Sequence, residues 1–466
     1  MTTSLKSLTP LAKGGRATAV AGGFLPADSA KIQAHGRKEK MRKTTIGFLG
    51  CGNVGGGVFA LLEGTAGQIA HRDGIEFVLK RALVRDINKA RSVPIPARLL
   101  TDRPEDVLDD PQIDIVLEFL GGEQPAIDFM LRALRNGKTV VTANKVALAL
   151  GWHLLQAEAQ KYGGGLYYEA SVCGAIPVIR ALTDSLQANR IDAVMGIING
   201  TTNYILTRMA KEGKDYAQVL FDAQRLGLAE PDPSADVDGY DAAYKLSILA
   251  SLAFHAHVPV GRIYREGIGS ISARDIAYGK EMGLTLKLLA VAKRNNSVVE
   301  VRVHPTFVPN EHPLASVSGA FNAVFLKGHA FGEMMFYGQG AGDAPTASAV
   351  VSDLIMAAAA PRHWHPTFAN QEQASPELGF DTNWASVYFI RLSASDKPGV
   401  LSAITGCFGA HEVSIASMVQ HSGIDNDRVP LVFVTHRAHE QSVMQALKDM
   451  KPEDATVESV IRVEGR

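Results

Sequence analysis

The run "TTIGFLGCGNVGGGVFALL", Thr44 to Leu62, constrains this chain more than any other stretch. A short apolar segment at 43–49 reads as a buried strand. Gly50, Gly52 and Gly55 follow as G-x-G-x-x-G, and an apolar helix begins at once. Each glycine has a separate physical job. The first permits the tight turn, the second lets a pyrophosphate approach the backbone, and the third lets helix and strand pack closely. The helix opens at Asn53 and Val54, where free N–H groups and the positive end of the helix dipole favour phosphate. The context predicts a dinucleotide site rather than an ordinary strand-to-helix turn.

Further strands alternate with helices. "FVLKRALVRD" ends near Val84, "DIVLEFLGG" spans Asp114 to Gly122, and "GKTVVTANK" spans Gly137 to Lys145. This alternation predicts an α/β, Rossmann-type doubly wound parallel sheet over 43–160. The end of the second strand reports on the ribose. An acid there favours NAD through the 2′-OH, whereas an arginine suits the 2′-phosphate of NADP. Arg85 comes first, Asp86 follows and Lys89 is near. The expectation is NADP, with NAD left open; a solvated, charged loop end is the plainer reading.

Between 161 and 360 the texture is that of an α+β substrate domain. "IDAVMGIINGTTNYILTRM" reads as strand then helix, "NSVVEVRVHPTFVP" and "FNAVFLKG" as sheet strands, and "TASAVVSDLIMAAAA" as a helix. Residues 361–384 are rich in Pro, Asn and Gln and read as a linker. Residues 385–466 run βαββαβ, the order of a small ferredoxin-like module.

A length of 466 residues, 46% of them apolar and 20% charged, suits a multidomain globular protein with a sizeable core. A formal net charge of -1 gives no reason to expect nucleic acid or an anionic membrane as partner, and no apolar run has the length of a membrane span. Cys51, Cys173 and Cys407 lie far apart without metal-ligand spacing, which suits a reducing, cytoplasmic setting. Up to residue 42 the chain is basic, with only Asp28 and Glu39 as acids. It reads as a disordered extension, a transit peptide, or the product of an early start with Met41 as the true one.

The segment "EPDPSADVDGYDAAYKLSILA", Glu230 to Ala250, holds five carboxylates in its first twelve residues. Aligned on Gly239 as a calcium loop, it places Lys245 where a bidentate glutamate belongs, which excludes that reading. The local pattern instead predicts Asp238 as cap of a helix, with Asp241 at its third position in a capping box. Asp241 and Lys245, four apart, share a helix face. The apolar run after them predicts a buried helix, so Lys245 needs a partner or a lowered pKa. Either makes it a candidate proton donor. Lys145 ends the "VVTANK" strand, where doubly wound sheets place their ligands. Asp232 and Asp236 have no evident role.

With these pieces in place, the chain from about 43 onward resembles homoserine dehydrogenases. The resemblance rests on "GFLGCGNVGGGV", "VTANK", "YEASVCGAIPVI", "GIINGTTNYIL", "AEPDPSADVDGYDAAYKL" and "FYGQGAGDAPTASAVVSDL", in that order. The last module resembles an ACT domain, with "DKPGVL" (Asp396 to Leu401) at its first turn, as in the long single-function bacterial form. The resemblance implies reversible, NAD(P)-dependent reduction of L-aspartate 4-semialdehyde to L-homoserine. It implies Lys245 as proton donor, Lys145 between nicotinamide and substrate, and Glu230 and Asp241 as carboxylates for the substrate ammonium and the lysine. It implies Gly340 as a backbone contact to the cofactor. It further implies a monovalent cation, sodium, held by Glu169 and the carbonyls of Val172, Gly174 and Ile176. The family usually has Gly where this chain has Cys173. L-threonine is the expected effector at the ACT module, and a homodimer or homotetramer the expected assembly. Deleting 386–466 is expected to leave an active, threonine-insensitive enzyme.

Two rivals stand beside this. One is a semialdehyde dehydrogenase with Cys173 as nucleophile, which needs thiolate-stabilising surroundings. The other is an inactive nucleotide and amino-acid sensor, against which stand both lysines and both carboxylates.

Overall fold

The computed structural model describes residues 41–359, 378–421 and 427–465. The expected extension up to residue 40 and the expected linker up to 377 lie outside the described residues.

The first sheet is built from β1 (Arg42–Leu49), β2 (Ile75–Leu83), β3 (Leu100–Thr101), β4 (Ile115–Glu118), β5 (Thr139–Thr142) and β6 (Leu166–Tyr167). Its order is β3-β2-β1-β4-β5-β6, with every pair parallel. The reversal of strand order beside β1 is the doubly wound switch point, where ligands bind. Helices α1 (Asn53–Asp73), α2 (Glu105–Leu108), α3 (Ala126–Arg135) and α4 (Lys145–Tyr162) connect the strands. The sheet takes in β6, past the expected boundary at 160.

Beyond it come α5 (Val178–Arg180), β7 (Ile191–Ile197), α6 (Gly200–Glu212), α7 (Tyr216–Arg225), α8 (Ser234–Val237) and α9 (Tyr240–Phe254). Then follow β8 (Tyr264–Arg265), α10 (Ala273–Glu281), β9 (Leu284–Asn295), β10 (Val298–Pro309), β11 (Phe321–Gly328), β12 (Gly332–Gln339) and α11 (Asp343–Ala359). Helix α11 returns to the nucleotide sheet and packs on α1. A Cβ on Gly57 of α1 would lie 2.9 Å from the Asp343 carbonyl oxygen, so only glycine permits that approach.

The last module contains β13 (Gly379–Phe380), β14 (Ala385–Ser395), α12 (Val400–Ala410), β15 (Ile415–Gln420), β16 (Arg428–Thr435), β17 (Ala438–His439), α13 (Glu440–Lys448) and β18 (Ala455–Val463). The expected βαββαβ order holds, with β13 and β17 as short additions. Its strands are continuous with those of the middle domain in one sheet, ordered β12-β11-β7-β9-β10-β18-β14-β16-β15. The join is a parallel pairing of Thr306 with Arg462 and Phe307 with Val463. Phe389, Val432, Ile461 and Val463 of the module belong to the same buried cluster as Phe307 and the α9 side chains. The C-terminal module therefore shares a core with its neighbour.

Helix α9 explains itself by composition. All of it except Tyr240 and Tyr244 is buried, between α4 and the middle sheet. A helix enclosed on nearly all sides must be apolar nearly all round. The ionic residues it does bury, Asp241 and Lys245, carry the site.

Candidate active site

Three helix N-termini meet beside the end of β5. Helix α4 starts at Lys145, α6 follows Asn199, and α9 carries Asp241 at its second position. Lys145 Nζ lies 3.1 Å from Asp241 Oδ1, and Lys245 Nζ 2.7 Å from Asp241 Oδ2. Lys245 also donates to the Ile198 carbonyl at 2.9 Å. The amide of Asn199 donates to Asp241 Oδ2 at 2.9 Å and to Asp236 Oδ1 at 2.7 Å. Its carbonyl oxygen caps α6 by accepting from the Thr202 N–H at 2.9 Å. Asn199 and Asp236 are therefore parts of this cluster that the sequence reading left without a role. The one available hint was the cap signal of Asn199 before "GTTN".

Burial opposes charge on Asp241, but the two lysines beside it win and hold its carboxyl well below the usual range. Burial likewise opposes charge on Lys245, and the Asp241 carboxylate overcomes it, raising the lysine above its ordinary value. Of the two routes open to a buried lysine, this chain takes the partner, not the lowered pKa. Lys145 keeps 38% of its side chain exposed while Asp241 and Lys245 keep about a tenth or less, so the cluster opens to solvent on the Lys145 side.

The expected capping box is not formed. Gly239, in the left-handed region at φ 81°, stands at the N-cap of α9, and no side chain caps it. Asp241 falls at the second position and points at the lysines. The Asp238 carbonyl instead accepts from Arg265. Glu230 is exposed; its main-chain carbonyl accepts from Gln224, and among the described residues no hydrogen bond or ion pair joins its carboxylate to the cluster. Asp232 accepts from the Ser234 N–H at 3.1 Å.

The glycine turn has the geometry its motif predicts. Gly50 has φ 98° and lies against the Phe119 backbone, which a Cβ would approach to 3.1 Å. Gly55 abuts the Gly50 carbonyl, 2.9 Å from a Cβ, whereas Gly52 faces open space. The turn thus leaves room at the start of α1, beside Asn53 and Val54, for a pyrophosphate. In the loop after β2, the Asp86 carboxylate accepts from the Asn88 N–H at 2.8 Å. Arg85 and Lys89 are exposed. Glu118, at the end of β4, is wholly buried and accepts from the Leu120 N–H at 2.7 Å and the Thr142 hydroxyl at 2.6 Å. It also faces Asn144, the N-cap of α4, and so shapes the turn that delivers Lys145. Sequence reasoning passed over Glu118 and Asn144.

Glu169 accepts from the N–H groups of Ile179 at 3.0 Å and Arg180 at 2.7 Å. The Ile176 carbonyl accepts from the Val178 N–H at 2.8 Å. Gly174 lies so close to Gly340 that a Cβ would meet its carbonyl at 2.9 Å. Asp353, ion-paired with Arg180 at 2.8 Å, also accepts from the Glu169 N–H. Burial pushes Glu169 up to about 7, with the Asp353 charge adding to it, and burial pushes Asp353 up to about 6. Among the described residues no cluster of three or more His, Cys, Asp or Glu could hold a metal. Cys173 has φ 57°, a left-handed conformation that favours glycine. Burial pushes its thiol up to about 11, which removes the thiolate that the nucleophile reading requires.

A parallel doubly wound sheet with an open glycine turn, beside a cleft holding two lysines across one carboxylate, defines a nicotinamide-dinucleotide-dependent oxidoreductase. Comparison with known proteins specifies which. Residues 50–169 match the family model described as homoserine dehydrogenase, NAD binding domain, residues 177–355 that of homoserine dehydrogenase, and residues 388–451 that of the ACT domain. The chain is 40% identical to homoserine dehydrogenase of Bacillus subtilis, over 91% of this chain and 99% of the relative. It is 44% identical to that of Mycobacterium tuberculosis, over 90% and 97%. A crystal structure of a homoserine dehydrogenase from Thiobacillus denitrificans superimposes with a TM-score of 0.85 at 40% identity, covering 91% and 99% of the two chains. The chain belongs to the homoserine dehydrogenase family. Among the described residues, no helix is long and apolar enough to cross a membrane.

Proposed function

We propose that this enzyme interconverts L-aspartate 4-semialdehyde and L-homoserine with NADP, and that the Lys245–Asp241–Lys145 cluster is its catalytic centre. The observation that carries the reading is one carboxylate gripping two lysines, with only Lys145 open to solvent. The nicotinamide, when bound, exchanges a hydride with the substrate carbon. Everything else falls to the chain. Negative charge grows on the substrate oxygen during reduction, and a fixed cation stabilises it more in the transition state than in the ground state. Lys245 gives its proton to that oxygen. Asp241 keeps Lys245 charged and aimed until then. Lys145 orients substrate against the nicotinamide, and Glu230 receives the substrate ammonium. The glycine turn at Gly50, Gly52 and Gly55, with Asn53 and Val54, holds the pyrophosphate. Gly340 lines the cofactor side.

Arg85 and Lys89 receive the 2′-phosphate. This is supported by the Asp86 carboxylate, which is turned into its own loop by the Asn88 N–H and is less available for a ribose hydroxyl. L-threonine is the effector, bound at the ACT module. The deciding assay is NADPH or NADH oxidation driven by aspartate 4-semialdehyde, with and without threonine. Turnover is expected with both, at higher kcat/KM for NADPH, and inhibited by threonine. No turnover with either cofactor sinks the enzyme reading; turnover untouched by threonine removes the effector alone.

The cation reading finds support in charge balance. Glu169 and Asp353, both buried, share one arginine, which leaves a net negative charge that sodium would offset at Glu169 with the carbonyls of Val172, Gly174 and Ile176. The backbone N–H groups on Glu169 already satisfy part of it. The sign of the pH effect follows from the raised folded pKa. The acid form is the one the fold favours, so this stability contribution is full below the unfolded value of about 4.3 and is lost as pH rises to about 7. Sodium binds the ionised form. Replacing choline chloride by sodium chloride should therefore raise Tm by roughly 2 °C at pH 8, about 1 kcal/mol, and not at pH 5. Glu169→Gln should abolish the difference. An equal sodium effect in that variant refutes the site.

A further inference from the structure

The turn that launches α9 has no side-chain cap, yet it must hold Asp241 and Lys245 in place. Its support comes from the next strand. Arg265 donates from Nη1 to the Asp238 carbonyl, and its guanidinium lies 3.4 Å over the Tyr240 ring. Its side-chain carbons run beside Gly239, whose Cβ, if present, would lie 3.4 Å from Arg265 Cγ. The Ile268 N–H donates to the Val237 carbonyl at 2.9 Å. A Cβ on Gly267 would stand 2.5 Å from that same carbonyl oxygen. The segment 264–268 is thus locked to the turn by backbone, by guanidinium and by a contact only glycine allows.

The flanking residues engage the other side. Glu266 is ion-paired with Arg462 of β18, which also takes the Tyr264 hydroxyl at 3.2 Å. Arg462 is buried and holds Glu440 of α13 as well. Between the segment and the ACT module lies a cavity of about 280 Å³, lined by Tyr264, Glu266, Ser270, Met444, Val457 and Arg462. At this place the contact is therefore polar and directional, with space around it, rather than a close-packed seam.

We propose that Arg265 is a positioning residue for the Asp241–Lys245 pair, and that Glu266 ties that positioning to the ACT module through Arg462. Side chains alternate along an extended segment, so neighbours can serve opposite faces. Arg265 serves the catalytic turn and Glu266 the last strand of the module. Any displacement of β18 then reaches Asp238 through a two-residue lever. The proposal rests on the assignment of Asp241 and Lys245 given above.

The test uses the full-length chain. Arg265→Ala should lower kcat of semialdehyde reduction roughly tenfold with the KM for NADPH unchanged. Its alkaline limb should move down by about one pH unit, because a lysine less firmly held by Asp241 loses its proton sooner. Arg265→Lys should recover most of kcat, since an ammonium still reaches the Asp238 carbonyl. Normal kcat and an unmoved limb in Arg265→Ala overturn the positioning role. For the link, Glu266→Gln should speed hydrogen exchange at the amides of Gly239 and Ile268 about tenfold; unchanged exchange overturns it. The exchange experiment needs no activity and stands if the alanine variant fails to fold. If Lys245→Ala keeps normal kcat, the lysine assignment fails, and the exchange readout still decides whether the clamp exists.

Discussion

Lys245→Ala should lower kcat by about three orders of magnitude while NADPH still binds. The size combines a lost proton donor, worth 10²–10⁴ in rate, with a lost cation beside a developing negative charge, worth about 10²–10³; the two overlap because one group does both. NADPH binding should persist because the glycine turn and the loop after β2 are separate from the α9 interior. Lys245→Arg separates the two roles. A guanidinium can keep the ion pair with Asp241 but does not give up its proton at any usable pH. Arginine is therefore expected to restore stability and not turnover. A Lys245→Ala protein within a few-fold of normal kcat would remove the lysine from the chemistry. An active Lys245→Arg would make its charge, and not its proton, the catalytic element. The raised pKa of Lys245 has a directional consequence as well. Semialdehyde reduction needs the protonated lysine and should hold through neutral pH, whereas homoserine oxidation needs the free amine and should rise with pH.

The parts of this site that were legible in the sequence are the local ones. G-x-G-x-x-G between strand and helix specifies its own backbone, so Gly50, Gly52 and Gly55 occupy the expected conformations. Asp241 and Lys245 are four apart on one helix, and their contact follows from helical geometry. The Lys145–Asp241 contact joins positions 96 residues apart and needs α4 packed on α9, which no local pattern encodes. The capping reading failed for a related reason. Asp238, Gly239 and Asp241 carry a good cap pattern, but the left-handed Gly239 starts the helix and the buried lysines claim the aspartate. Asn199 caps α6 through its side-chain carbonyl, a local role, yet its amide, which reaches Asp236 and Asp241, depends on tertiary placement. Glu169 shows the same limit from the other side. Its carboxylate accepts from two backbone N–H groups, as a purely structural loop would have it, but the neighbouring buried acid, Asp353, could not be foreseen from "YEASVCGAI".

Truncation before residue 386 should yield a protein that aggregates, or melts roughly 10 °C below the full chain, and not the active, effector-blind enzyme that a detachable module would leave. The βαββαβ pattern and a polar linker suggest a bead on a string. The sheet shows otherwise, because β10 pairs with β18 and the cores merge around Phe307, whose ring stacks edge-on to Phe389 at 4.9 Å. Deletion would also strand buried charges. Asp275, wholly buried, loses Arg391 at 2.7 Å; Arg302, wholly buried, loses Glu464, and Lys293 loses the same carboxylate at 2.6 Å. Removing one partner of a buried pair costs about 3–5 kcal/mol. Asp275 keeps its capping box with Ser272, and Arg302 keeps Glu300, so the lower end of that range applies to each. Two such losses, with the apolar surface of Phe307 newly exposed at the β10 edge, exceed half of the stability typical of a domain. An exposed β10 edge would offer unpaired backbone groups to other chains, which is why aggregation is the expected form of failure. A truncated chain that melts cooperatively within a few degrees of the full one, with turnover intact, would show that the shared sheet contributes little and that the module is separable after all.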